Sequence, residues 1–353
     1  MDLGTGLFTC QRRPDDDRSR EAIYDEVLTL GETIDDAGLD SAWVSEHHFA
    51  DDGYLSGTMP TLGALASVTD DVTIGTCIAL APLYDPVRLA EDVATVDLLS
   101  GGRVGVGLSI GYRDAEFENF GVPKDERTER TEEAVAVLRG AWSDGPLGVD
   151  PEFHAIDPET TVTPKPAGDP PVFLGGAAKP AVRRAARIGD GWCAPSSLSL
   201  AGIRKRVEDI RSVREAEGID GDFQVYVIVH GFVADSAEAA WERMRDGYLY
   251  LQRRYAEWYE GESIDELPDD RRAELKEDAI FGTPDDVVAE LDRWATKLPP
   301  ESERDRGAAV PDGRIPAVAR AVASFSSRRN PCEVIASGTS DGSEGERSES
   351  SGG

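Results

Sequence analysis

The sequence predicts an α/β fold, a (β/α)8 barrel of the TIM type whose eighth βα unit is degenerate. Two observations predict it. Seven short apolar runs rich in β-branched residues recur between residues 3 and 233, and each is followed by a stretch of helical period. Parallel strands need such crossover helices, and seven or eight units suit a closed ring better than an open sheet.

In chain order, LGTGLFT (3–9) precedes a helical stretch at 21–37, and SAWVSE (41–46) precedes one that starts near Pro60. VTIGTCIAL (72–80) precedes PVRLAEDVATVDLLSG (86–101). There Val87, Leu89, Ala90, Val93, Ala94, Val96, Leu98 and Leu99 suit the apolar face of a half-buried helix. RVGVGLSI (103–110) precedes AVAVLRGAW (134–142), and VFLGG (172–176) precedes PAVRRAARIG (180–189). DGWCAP (190–195) precedes 199–217, and FQVYVIVHGFV (223–233) precedes 236–259. The proline-rich stretch 144–171 reads as an excursion between units four and five, and the charged stretch 259–281 as a second. TPDDVVAELDRWA (283–295) then opens a helix, with Thr283 as N-cap, Pro284 at its first position, and Asp285 and Asp286 complementing its dipole.

The pattern stops after Lys297. Residues 301–353 hold nine acids and seven arginines, so the acidic signature belongs to the chain before them. The organisation expected is a barrel domain at 1–299, an atypical segment at 300–336, and a Gly/Ser/Glu tail at 337–353 that cannot bury a core. A short helix at 315–325 and a rudimentary strand at 307–310 are the material left to close the barrel. A reading-frame error would account for the lost strand and for the change of charge. It predicts that deleting 300–353 barely changes stability.

Lys+Arg number 37 and Asp+Glu 68, a net charge of −31. Such a field repels nucleic acid and anionic membrane surfaces. No apolar run approaches the roughly 20 residues of a membrane-spanning helix, and the N-terminus lacks the features of a secretory signal. Cys10, Cys77, Cys193 and Cys332 lie far apart, which rules out a disulfide framework and fits a reducing cytoplasm. Six of the basic residues are lysine; the acidic, lysine-poor surface predicts a halophile cytoplasm, where salt screens self-repulsion.

Barrels place their chemistry at the C-terminal ends of the strands. The second run ends Glu46-His47-His48-Phe49, which holds two of the four histidines. An imidazole there can shuttle a proton. Neighbours on a strand face opposite sides, so no metal is expected on this pair. The fourth run, Gly105 to Tyr112, has the spacing G-x-G-x-x-x-G instead of the dinucleotide fingerprint, and its glycines suit the approach of a flat ring. Gly175-Gly176-Ala177-Ala178-Lys179-Pro180 leads into a helix, either as a phosphate cradle at a helix N-terminus or as an ordinary turn. Trp192 stands at the sixth strand end, as a pocket wall or as core.

At these residues the chain resembles the bacterial-luciferase-like superfamily of flavin-dependent oxidoreductases. The matching segments are GLDSAWVSEHHFADDGY (38–54), residues 74–122, PPVFLGGAAKPAVRRAARIGDGW (170–192) and FGTPDDVVAEL (281–291). The resemblance implies that His47 assists chemistry beside the flavin ring. It implies that Cys77 and Ile78 lie under that ring, joined in many members by a non-proline cis peptide. Ser109 replaces a reactive but dispensable cysteine of luciferase itself, which argues against light emission. Gly175, Gly176, Ala177 and Lys179 match the phosphate-binding segment, and Tyr112 and Trp192 complete the cofactor candidates. The activity implied is a monooxygenase that uses reduced FMN and oxygen on a small organic substrate, with a separate flavin reductase and a homodimer as partners. A hydride-transfer enzyme using the deazaflavin coenzyme F-420 is the alternative within the same barrel family, and a non-catalytic flavin-binding protein is a second. EHHF followed by DDGY resembles the flavin branch more, and the retained His47 weighs against the non-catalytic reading.

Overall fold

Each of the seven apolar runs forms a strand in the computed structural model, which describes residues 2–261, 263–297 and 332–338. The strands are β1 (Asp2–Phe8), β2 (Ser41–Val44), β3 (Thr73–Leu80), β4 (Val104–Ser109), β5 (Val172–Gly175), β6 (Gly191–Ala194) and β7 (Gln224–Val233). Each pairs in parallel with the next. The crossovers carry helices α1 (Arg20–Asp36), α2 (Thr58–Ala66), α3 (Pro86–Ser100), α4 (Asp114–Phe120), α5 (Arg127–Trp142), α6 (Lys179–Ile188) and α7 (Leu200–Glu217). After β7 come α8 (Ala237–Glu260), α9 (Asp269–Asp278), β8 (Ile280–Gly282) and α10 (Pro284–Lys297). β8 continues the parallel set by pairing with the end of β7.

The eighth position of the ring is filled from an unexpected place. β9 (Cys332–Gly338) lies between β7 and β1 and is antiparallel to both, with Ile335 opposite Gly4 on one side and Ile228 on the other. The sequence shows only Val334-Ile335-Ala336 there, and the expected tail begins at Ser337, within the strand. Backbone hydrogen bonds on the two open edges of β1 and β7 accept an extended segment in either direction, so a long apolar run is not required. The expected helix at 315–325, the strand at 307–310 and residues 339–353 of the tail lie outside the described residues.

The excursion at 144–171 holds neither helix nor strand. The stretch 259–281 corrects the reading of an excursion, because the end of α8, all of α9 and most of β8 fall within it. α9 escapes a periodicity search because Leu275 is its one buried residue. α3 is capped as its residues dictate: the Asp85 carboxylate accepts from the Val87 and Arg88 amides, and Gly101 ends it at φ 71°. Its inner face holds Leu89, Ala90, Val93, Ala94 and Val96, whereas Leu98 and Leu99 are 47% and 66% exposed. The turn of 100° per residue carries those two past the inner face. At the start of α10 the Thr283 and Asp286 side chains cap each other's backbone amides, 3.3 and 2.9 Å.

Trp43, Phe173 and Tyr226 fill the interior of the ring with Cys77 and Cys193. The rings meet edge-on or tilted, with centroids 4.5–6.1 Å apart. A Cβ at Gly75 would stand 2.5 Å from the Trp43 ring, so glycine is what admits the indole. The flat rings that approach Gly105 are those of Phe173 and Trp43. No described helix is long and apolar enough to cross a membrane.

Candidate active site

Trp43 anchors β2 in the ring interior, and the chain leaves that strand through buried Ser45, Glu46 and His47. The His47 and His48 rings turn to different carboxylates. His47 Nδ1 lies 2.9 Å from Glu116 Oε1. The same carboxylate oxygen accepts from the His48 amide at 3.0 Å and from Arg113 Nη1 at 3.3 Å. Glu116 Oε2 is buried without a hydrogen-bond partner among the described residues, which leaves one acceptor open to an incoming donor. Burial pushes the Glu116 carboxyl up. The hydrogen bond and charge of His47, the His48 amide and the Arg113 guanidinium outweigh that and hold it below the usual carboxylate range. His47 Nδ1 therefore carries the hydrogen in this pair, and Nε2 faces the Tyr112 hydroxyl at 3.4 Å.

His48 Nε2 binds Glu46 Oε1 at 2.6 Å, and Glu46 also accepts from the Tyr84 hydroxyl and the Leu80 amide. That carboxylate ties the end of β2 to the end of β3. Among the described residues no cluster of three or more His, Cys, Asp or Glu is placed to hold a metal.

Rings enclose His47. Trp258, Tyr54, Tyr112 and Tyr255 stand 4.7–5.7 Å from it, centroid to centroid. Two of the four come from α8, whose last turns cross the strand ends. Arg113 lies over Trp258 at 4.4 Å, and Tyr112 stacks on Tyr259 at 4.2 Å with planes 5° apart.

The next strand ends carry the other candidates. The Cys77–Ile78 peptide is cis, as the resemblance implies, and the β3–β4 register breaks there, between Thr76 and Ala79. Ile78 lies against Gly107 of β4 and Gly175 of β5. Ser109 ends β4, half-buried, two residues before Gly111, whose amide reaches its hydroxyl at 3.4 Å. Gly176 takes φ 129°, and its carbonyl accepts from Trp192 Nε1 at 2.9 Å. Trp192 is fully buried, so it braces the 175–178 turn and does not wall an open pocket. α6 starts at Lys179 with Ala178 as a cap that supplies no side-chain acceptor. Lys179 pairs with Asp209 at 3.3 Å, and Arg206 holds the Ala177 carbonyl.

The family model for luciferase-like monooxygenases matches residues 1–299. The chain belongs to that family. Among curated proteins it is 26% identical over 266 residues to the oxygenase component of a flavin-dependent trigonelline monooxygenase from Acinetobacter baylyi, covering 72% of each chain. It is 34% identical over 152 residues to an FMNH2-dependent dimethylsulfone monooxygenase from Pseudomonas fluorescens, covering 42% of this chain and 41% of that one. Among solved structures, a monooxygenase from Streptomyces bottropensis superposes with a TM-score of 0.72 at 25% identity, over 84% of this chain and 89% of that one.

This luciferase-like monooxygenase has a ring end that fits a flavin nucleotide. The α6 N-terminus keeps amides that no side chain caps, which suits a phosphate. Nine basic and three acidic residues over 179–214 reverse the sign of the chain locally. The Cys77–Ile78 bulge, Ser109 and Tyr112 lie at neighbouring strand ends between that turn and His47. Sequence reasoning missed Glu116, Arg113, Tyr54, Tyr255 and Trp258. A signal existed for the α8 residues, since Tyr248, Tyr250, Tyr255, Trp258 and Tyr259 crowd into twelve positions.

Proposed function

We propose that the protein is the oxygenase of a two-component system, an FMN-dependent monooxygenase acting on a small organic substrate. The observation that carries this reading is the buried His47–Glu116 pair at the end of β2, beside three strand ends that fit a flavin. Glu116 orients His47 through Nδ1, so His47 holds or returns a proton through Nε2. Ile78 and Ser109 support the ring of the cofactor, and the α6 N-terminus with Lys179 takes its phosphate. Reduced FMN, when bound, supplies the electrons that activate oxygen. The rings of Tyr54, Tyr255 and Trp258 exclude water from His47. A separate flavin reductase delivers the reduced cofactor; the description of the Acinetobacter relative as an oxygenase component supports that partner. The acidic surface supports a salt-rich cytoplasm as its home.

The test is to purify the protein in high salt, record its visible spectrum, and titrate FMN and coenzyme F-420 separately. FMN binding with oxygen uptake once the flavin is reduced supports the reading. Binding of the deazaflavin alone transfers it to hydride chemistry, and binding of neither sinks both. His47→Asn should leave FMN affinity within a few-fold and lower turnover by roughly 10²–10⁴. Unchanged turnover removes the role of His47.

A further inference from the structure

We propose that Tyr112, and not His47, meets the reacting oxygen, and that the protonation of His47 sets which way the Tyr112 hydroxyl donates. This rests on the function just proposed. Both ring nitrogens of His47 are already engaged, Nδ1 by Glu116 at 2.9 Å and Nε2 by the Tyr112 hydroxyl at 3.4 Å. The imidazole is 5% exposed. An incoming group therefore reaches the far side of the Tyr112 hydroxyl before it reaches Nε2. Tyr112 follows β4 and stacks flat on Tyr259, itself 70% exposed, so its ring leads from the buried pair towards the surface.

A hydroxyl is both donor and acceptor, and that gives the chain of groups a direction. With His47 neutral, Nε2 has a lone pair, and Tyr112 spends its hydrogen inward on it. With His47 protonated, Nε2–H donates to the Tyr112 oxygen, and the phenol hydrogen is released to point outward. Burial, together with Tyr255, Tyr259 and Glu116, pushes the Tyr112 phenol up, so it serves as a donor and not as a base. Proton transfer then balances as follows. The Tyr112 O–H bond breaks as a new O–H bond forms on an oxyanion produced in the reaction. The phenolate takes the hydrogen from Nε2 of the imidazolium. His47 ends neutral, still bound to Glu116 through Nδ1, and regains its proton from water. No electron changes hands at these residues.

The groups that face this pair set its pH response. Glu116 and Arg113 act from the segment after β4, Tyr54 from the loop after β2, and Tyr255 and Tyr259 from α8, with Arg254 behind Trp258.

Tyr112→Phe deletes the hydroxyl and keeps the ring that stacks on Tyr259. The first readout is the imidazole proton titration of the flavin-free protein by NMR, with His47→Asn identifying the His47 signal among the four histidines. The expected result is a displaced His47 midpoint in Tyr112→Phe with the other three unmoved. The second is hydrogen peroxide release from reduced FMN and oxygen as a function of pH, without added organic substrate. Wild type is expected to follow the His47 midpoint, whereas Tyr112→Phe loses that limb and differs in rate by at least about tenfold. A superimposable titration or an unchanged pH profile overturns the proposal while leaving the FMN reading intact. Failure of wild type to bind FMN overturns both.

Discussion

Glu116 decides what His47 can do, and it is the residue least visible in the sequence. It lies 69 positions from His47 in a seven-residue helix, where an isolated glutamate reads as a solvated side chain. Its burial follows only from the seating of α4 beside the end of β2. His47 was legible because it ends an apolar run that had to be a strand, and strand ends are where a barrel keeps its chemistry. Glu116→Gln keeps the size and one acceptor but removes the charge that favours the imidazolium. We expect turnover to fall about 10–100-fold and its alkaline limb to move to lower pH, with FMN affinity retained. A pH profile coincident with wild type would remove Glu116 from the mechanism. His230 makes a different prediction, on stability. It is buried in β7, 3.2 Å from Gln252 Nε2, and burial pushes its imidazole down to about 3. The unfolded chain takes up that proton near pH 6.5 and the folded chain does not, so stability is lost as pH falls from about 6.5 towards 3. His230→Gln should lessen the stability difference between pH 7 and pH 4 by about 3 kcal/mol in urea denaturation. An undiminished difference would show that the imidazole does not set this limb.

Among the elements, seven strands were legible, and β8 and the closure of the ring were not. Seven strands announce themselves because strands covered on both faces read as continuous apolar runs, and each ends where glycine or a polar cluster interrupts it. β9 has no such signature. Its place is set by backbone hydrogen bonds to β1 and β7, which carry no side-chain code, and by residues the sequence assigns partly to a polar tail. Its pairing also reverses the expectation that 300–353 is dispensable. Truncation after Lys297 would expose the edges of both neighbours over the paired stretches Asp2 to Thr5 and Val225 to Gly231. We expect the truncated chain to lose several kcal/mol in urea denaturation, or to be recovered only as aggregate. An unchanged midpoint for a soluble truncated protein would mean that β9 contributes nothing to the ring. α8 teaches a related lesson: its helical period was plain, but its function lies in one aromatic face laid across the strand ends, and periodicity does not say what a face covers.

At the scale of the whole molecule, the net charge of −31 sets two salt responses of opposite sign. Acids spread over the surface repel one another, and many of the ion pairs among the described residues are exposed enough to return little. The Debye length falls from about 10 Å at 0.1 M salt to about 3 Å at 1 M, so added KCl removes most of that repulsion within this range. The urea midpoint should therefore climb steeply below about 1 M KCl and level off above it. A midpoint that keeps rising linearly beyond that concentration would assign the effect to salt exclusion from the surface instead. The basic stretch 179–214 behaves the other way. Lys179, Arg183, Arg204 and Lys205 are exposed near the α6 and α7 N-termini, and they attract a flavin phosphate through solvent that salt screens. FMN should bind several-fold more weakly at 1 M than at 0.1 M KCl, whereas riboflavin, which lacks the phosphate, should not. Equal salt responses for the two flavins would place the phosphate away from α6. If the expected difference appears, salt strengthens the fold and weakens cofactor capture in the same molecule, and the local reversal of charge is what keeps the cofactor site attractive to an anion on an otherwise acidic surface.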